Sequence, residues 1–394
     1  MALAALCVIA LNGLDPGPLR SADERAGDML WRWSPASGRA EEQEHRFVIV
    51  DIDEASLARL GSWPWPRERL AELSRRLAAL GAGTQVYDVV LADARPGDAA
   101  LAAEFSRHQV VLAEILSLDP ETTAAFGQLQ GALTTGSPAC GAPLPQASGY
   151  IGNAPALASA AGLSAGHITP RIARDGAVRH LPALICFGGR AYPALGLAAL
   201  IKSAGAEPAW SLQPGSAWFD PAWRLTHSGL PGVVVPMDDN GDVRLSYLLP
   251  RRAFASISAA EVLEGRAPAG LFRGAWVLIG ATAFGIGDAV PTPLGGAVGG
   301  VEVHAQFISA LLDARLPWTP RSALLLVAVL GLAAAGALLL AAGWRRLPVL
   351  GLPLVGALLG LLIFAAHAWL LLGANLWVGW SSPAAFSLLA GVLL

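Results

Sequence analysis

The sequence predicts a mixed α/β domain with a partly parallel sheet, followed by an all-α bundle of transmembrane helices. Three observations lead there. Of 27 Lys and Arg and 30 Asp and Glu residues in the 394-residue chain, only Arg345 and Arg346 lie beyond Arg321, so two different materials meet near Pro320. Before that point, short apolar runs rich in β-branched residues alternate with helical periodicity, the pattern of buried strands linked by helices. After it come long uncharged stretches of Leu, Ala and Gly. An apolar share of 54% against 14% charged disfavours an ordinary soluble enzyme. A net charge of −3 without a basic block excludes a nucleic-acid groove.

Residues 1–14 (MALAALCVIALNGL) are apolar, yet shorter than the roughly 17 to 25 residues of a membrane span, and no Lys or Arg precedes them as in a signal peptide. They read as a partial N-terminal transmembrane anchor, with a signal-like segment as the alternative. Residues 21–33 mix acidic, basic and apolar residues at helical spacing and suit a stalk helix. Residues 47–52 are a continuous apolar run, hence a buried strand. Pro66 suits a first helical turn; Leu70, Leu73, Leu77 and Leu80 then recur at helical steps before Gly81. With a second buried strand at 84–91, these form a parallel crossover. Residues 99–108 and 109–116 predict a further helix and strand, and 120–149 a long loop. Residues 166–172 and 177–187 flank Asp175-Gly176, and 232–236 and 242–247 flank Asn240-Gly241, two tight turns of hairpin type. Helices are expected at 192–204 and 301–312, and a third buried strand at 275–281.

Three spans are expected beyond Pro320: 322–343, 347–372 and 375–394. The first is uncharged and, at 1.5 Å per residue, crosses a hydrocarbon core of about 30 Å. Trp344, Arg345 and Arg346 form a polar turn, and Gly373, Ala374 and Asn375 a tight return flanked by Trp377 and Trp380. His367 reads as an interhelical or interfacial histidine rather than a proton relay. Arginines flank both ends of the first span, so the charge count leaves the orientation open.

Residues 49–67, IVDIDEASLARLGSWPWPR, resemble the opening motif of the CHASE2 family, the extracytoplasmic sensory domains of bacterial receptors. Tyr87-Asp88 follows at the expected distance, and Asp288, Thr292-Pro293 and Gly300-Val301-Glu302-Val303-His304-Ala305 come near the end. The resemblance covers 21–320 as the sensor domain. It implies a domain outside the cytoplasmic membrane, three closing helices, and a cytoplasmic output such as an adenylate or diguanylate cyclase, a histidine kinase or a Ser/Thr kinase. That output is expected outside this chain.

Asp51, Asp53 and Asp88 end or follow what read as adjacent parallel strands, at the edge where ligands collect. With Trp63, Trp65 and Arg67 they are the ligand-binding candidates. Each has a structural alternative: the acids cap helices and turns, the Trp-Pro-Trp-Pro run nails a corner to the core, and Arg67 pairs with Asp53 or Asp88. Asp288, Thr292, Pro293, Glu302 and His304 are the relay candidates, since they precede the first span; plain loop geometry is the alternative. Glu302 and His304, two apart, lie on different faces of a helix, so no metal site is expected. There is no phosphate cradle or nucleophile elbow, so no catalytic residue is named, and the cofactor is unknown. Cys140 and Cys186 are candidates for a disulfide in an oxidising compartment, with separate buried thiols as the alternative.

The leading reading is a sensor and transmitter module in the bacterial inner membrane, multi-pass, with its α/β domain in the periplasm or extracellular space. Its partners would be the lipid bilayer, an unknown extracytoplasmic ligand, a cytoplasmic effector and a second copy of the chain, because cyclase and kinase outputs work as dimers. Two rivals stand beside it: an envelope assembly or scaffold protein, and a membrane-tethered hydrolase using Asp51, Asp53 and Asp88.

Overall fold

The structure, a computed structural model, describes all residues except 1, 7, 9–16, 35–43, 134–137, 206–208, 251–252, 288, 344–347 and 349. The chain divides into two compact units. One, the helical unit, combines Met1–Ser34, Pro214–Ala222 and Pro317–Leu394; the other, the α/β unit, combines Pro35–Gln213 and Trp223–Leu316.

The elements, in chain order, begin with α1 (Gly17–Trp33), β1 (Glu44–Ile52), α2 (Glu54–Leu60), α3 (Arg67–Ala79), β2 (Thr84–Tyr87), α4 (Asp98–Phe105) and β3 (Val110–Ser117). There follow β4 (Ala125–Phe126), β5 (Gly149–Ile151), α5 (Pro155–Ala158), β6 (Ser164–His167), β7 (Arg171–Ile172), β8 (Val178–Pro182), β9 (Leu184–Phe187), β10 (Arg190–Pro193) and α6 (Leu195–Ala204). Next are β11 (Trp210–Pro214), β12 (Trp223–His227), β13 (Val234–Met237), β14 (Asp242–Arg244), β15 (Phe254–Ser258), α7 (Ala259–Leu263) and β16 (Trp276–Ala281). The chain closes with β17 (Ala289–Pro291), β18 (Ala297–Gly299), α8 (Gly300–Leu312), α9 (Ala323–Ala342), α10 (Gly351–Ala374) and α11 (Ser381–Leu393).

The main sheet is mixed, as expected. Its parallel part runs β15-β1-β16-β2-β3, with β6 parallel to β3, while β5 pairs antiparallel with β3. The order corrects one expectation. β1 and β2 are not adjacent, because the late strand β16 pairs with both: its Trp276–Ala281 run is apolar enough to be covered on two faces and takes a central place. α2, α3, α4, α5 and α7 supply one covering layer. In α3, Leu70, Leu73 and Leu77 are buried against Val50, Ile52 and Val277, each worth roughly 1.5–3 kcal/mol relative to exposure. α6 and α8 cover the other face. Gly166 and Gly196 let them approach: a Cβ on Gly166 would lie 2.7 Å from the Leu195 Cα, and one on Gly196 would lie 2.7 Å from the Phe307 ring.

Two of the expected hairpins are rearranged. The 166–172 run splits at Ile168–Pro170: its start joins the main sheet as the end of β6, and only β7 turns back onto β8. The turn at Asp238–Gly241 forms, with Asp238 N–H donating to the Asp242 carbonyl, but β13 pairs with β12 while β14 pairs with β8. Residues 190–193, partly expected as helix, are the strand β10, antiparallel to β9. Cys140 and Cys186 are bonded, with Cα atoms 5.8 Å apart.

In the helical unit, α9 and α10 have 20 and 24 residues with mean hydropathies of 2.7 and 2.2, long and apolar enough to cross a bilayer. Their side chains face outward more than inward, and Leu332 is 72% exposed, so their apolar surface is left largely uncovered by the rest of the chain. Asn375, in the left-handed region at φ 56°, makes the expected return. Within the expected third span at 375–394 the structure has an apolar helix of 13 residues, α11. The residues before it are used otherwise. Trp377 N–H donates to the Trp318 carbonyl at 2.8 Å, His367 Nδ1–H to the Val378 carbonyl at 2.7 Å, and Asp23 on α1 accepts from the N–H groups of Trp380 and Ser381, capping α11. Ala4, from the expected N-terminal anchor, is buried against Leu338 and Ala390. The Arg345-Arg346 turn lies outside the described residues.

Replacing Cys140 by Ser frees a 46-residue separation in the unfolded chain and lowers stability by about 2–4 kcal/mol. The check is the unfolding midpoint of the detergent-solubilised full chain, oxidised against variant.

Candidate functional site

The strands β15, β1, β16, β2, β3 and β6 run parallel and end at one edge of the main sheet, and two polar clusters form there. In the first, Asp51 closes β1 and accepts from Thr282 Oγ1 at 2.6 and 2.7 Å and from Thr282 N–H at 3.2 Å. Burial raises its pKa above the usual carboxylate value, and the nearby Asp53 and Glu54 charges push the same way against the Thr282 bonds. Asp53 is the N-cap of α2, accepting from Ser56 N–H and from Ser258 Oγ at 2.8 Å each. Burial works to raise Asp53, but those hydrogen bonds prevail and hold it below its ordinary value. The cluster binds the starts of α2 and α7 to the sheet through a 2.9 Å contact between Ser56 Oγ and Ser258 Oγ.

The other motif residues are held inside the fold. Trp65 is fully buried, donates Nε1–H to the Gly61 carbonyl at 3.0 Å, and meets Trp63 edge to face at 5.5 Å. Arg67 pairs with neither Asp53 nor Asp88. It is buried at the start of α3, where Nε lies 2.6 Å from Asp98 Oδ1 and Nη2 donates to the Asp93 carbonyl, tying α3 to the start of α4. The nearer partner wins because α3 and α4 pack side by side in the covering layer.

The second cluster is a cavity of about 460 Å³. Asp88 enters it from the end of β2, His167 from the end of β6, and His304 from the first turns of α8; Ile168, Val178, Leu181, Val290 and Val303 give it apolar walls. His304 Nε2 lies 3.8 Å from Asp88 Oδ1. The insertion of β16 thus separates Asp88 from Asp51 and Asp53, and the three acids do not form one site. Both imidazoles are buried and neutral: burial lowers His167 to about 3, and lowers His304 despite the opposing pull of Asp88. Neither nitrogen of His167, nor Nδ1 of His304, has a hydrogen-bond partner among the described residues. Such orphaned groups each cost about 1–3 kcal/mol and mark a place for a ligand or water.

The relay candidates frame this cavity. Asp288 lies outside the described residues. The stretch expected as a loop is the hairpin β17–β18, whose residues Ala289 and Val290 line the cavity and whose turn buries Thr292 and Pro293. Gly299 ends β18 and is the N-cap of α8, so hairpin and helix are continuous. Glu302 is half-buried in the first turn of that helix. At the far end of α8, Asp313 accepts from Arg46 Nη1 at 2.8 Å, and Ser309 Oγ donates to Glu44 Oε2 at 2.7 Å. α8 therefore runs from the cavity to the opposite edge of the sheet, about 20 Å at 1.5 Å per residue, and is clamped there to the start of β1.

His167 and Glu114 were missed in the sequence. Glu114 is buried on β3 in register with His167, and burial pushes it up to about 8. The signal was available: a lone acid inside the apolar run QVVLAEIL, and a histidine closing a strand of small residues.

The chain thus combines an α/β unit that has a polar cavity at the carboxyl edge of its sheet with two helices long and apolar enough to cross a membrane. The chain matches the CHASE2 domain over residues 1–338 and belongs to the CHASE2 family of receptor sensory domains. No curated protein and no solved structure matches it.

Two measurements probe this edge. Arg67→Met leaves Asp98 buried without its cation and lowers stability by about 3–5 kcal/mol, read from denaturant unfolding of the full chain. For His167 the unfolded chain takes up a proton near 6.5 and the folded chain only near 3, so its contribution is lost as pH falls through that window. His167→Phe therefore flattens the fall in melting temperature below pH 6.5.

Proposed function

We propose that the chain is the sensing and transmitting module of a membrane receptor, with its α/β unit in the periplasm or extracellular space. A small ligand enters the cavity at the sheet edge and hydrogen-bonds the neutral imidazoles of His167 and His304 beside Asp88. The observation that carries this reading is that cavity: it combines orphaned polar groups with apolar walls, and one of its histidines sits on α8, the last helix before the chain reaches α9. A ligand that draws His304 and the β17–β18 hairpin together favours one placement of α8 over another, and the clamp to Arg46 carries that preference to the sheet edge where β1 begins. The effect passes through α9 and α10 to a cytoplasmic output. The Cys140–Cys186 disulfide supports the extracytoplasmic side, since such bonds persist in oxidising compartments.

The test is orientation in cells. Asp239, exposed at the turn between β13 and β14, is replaced by Cys in a Cys7→Ala background and treated with a membrane-impermeant maleimide. The expected outcome is labelling of intact cells once the outer membrane is opened. Labelling only after the inner membrane is broken removes the receptor reading.

A further inference from the structure

We propose that the connection between β11 and β12 is an aromatic foot that rests in the headgroup region of the bilayer, a membrane contact additional to the apolar helices. This segment, Pro214–Ala222, is part of the helical unit although the strands on either side of it are not. At its tip Trp218 is 69% exposed and Phe219 54% exposed, two adjacent large aromatic side chains in a loop that also contains Ser216 and Asp220. A soluble loop has no reason to present such a pair to water.

The foot has a defined height. The Trp218 carbonyl accepts from Ser322 N–H at 3.1 Å and from Ser322 Oγ at 2.7 Å; the Asp220 carbonyl accepts from Arg321 N–H at 2.9 Å; and the Phe219 carbonyl accepts from Trp318 Nε1–H at 2.8 Å. Arg321 also donates to the Gly215 carbonyl. Ser322 is the N-cap of α9, a helix that matches the thickness of a hydrocarbon core. The tip is therefore pinned level with the end of a span, where Trp and aromatic rings in general settle, apolar body toward the acyl chains and polar edge toward water. Trp318 and Trp377 lie at the same level, joined through the Trp318 carbonyl and Trp377 N–H at 2.8 Å. The half-buried Asp220 is engaged within the loop, its carboxylate accepting from Ser216 and Ala217 N–H at 2.9 Å each, and Trp218 and Phe219 are the large side chains exposed at the tip.

The occupant is lipid, because the tip is continuous with the lipid-facing surface of α9. The proposal rests on α9 crossing a bilayer and not on any ligand in the cavity. Its test uses the full chain with Cys7→Ala, reconstituted in phosphatidylcholine–phosphatidylglycerol vesicles, carrying a nitroxide at Phe219→Cys, Trp218→Cys, Leu332→Cys or Asp239→Cys. Collision with oxygen and with a water-soluble nickel chelate reads the depth of each label. The expected result is a several-fold higher oxygen-to-nickel ratio at 218 and 219 than at 239, at a depth shallower than 332. Labels at 218 and 219 that match 239 while 332 is deep overturn the foot and leave the span intact. Labels shielded from both quenchers mark a protein contact and overturn it too. An aqueous 332 overturns the span and the foot together.

Discussion

The wedge of β16 between β1 and β2 is the constraint from which the rest of the α/β unit follows. A strand from late in the chain pairs in parallel with two early ones, so the sheet cannot close until residues some two hundred positions apart have met. This places the loop after β16, the β17–β18 hairpin and the start of α8 at the same edge as the ends of β2 and β6. Gly280 keeps the approach close, since a Cβ there would lie 2.7 Å from Val301. The cavity exists because these pieces converge without filling the space between them.

The two polar clusters at that edge differ in how they are satisfied. Asp51 and Asp53 spend their lone pairs on hydroxyls and N–H groups of the protein, so Asp51 fixes the segment that leaves β16 and Asp53 fixes the start of α2. His167 and His304 are more deeply buried than these half-buried acids, yet keep ring nitrogens without partners among the described residues. Burial alone would make such groups a pure liability. Here they line a cavity, and the proposed ligand site rests on that arrangement.

Much of the secondary structure was legible because it rests on local rules. The leucine periodicity of α3, the apolar runs of β1, β3 and β16, and the Asp-Gly and Asn-Gly turns all reappear close to their expected positions. The sequence was misleading where one pattern serves two neighbours. Residues 166–172 look like a single strand, but Pro170 and the pull of β3 divide them. Residues 376–379 look like the start of a span, yet their backbone groups bond Trp318 and His367 instead. The three acids look like one site only if their strands are neighbours, and neighbour relations are set by pairing rather than by order along the chain.

What the sequence determined by itself is the division into a charged α/β unit and uncharged helices, because burial of apolar side chains and exclusion of charge from lipid act on each segment where it stands. It also determined the family, through a motif whose residues are mostly caps and corners. Tertiary structure alone decided which polar residues face a common space. His167, a solitary histidine in the sequence, gains its meaning from β6 lying beside β3, and Trp218 and Phe219 gain theirs from hydrogen bonds to Ser322 and Trp318. Those meetings depend on long-range pairing, whose energy no local pattern records.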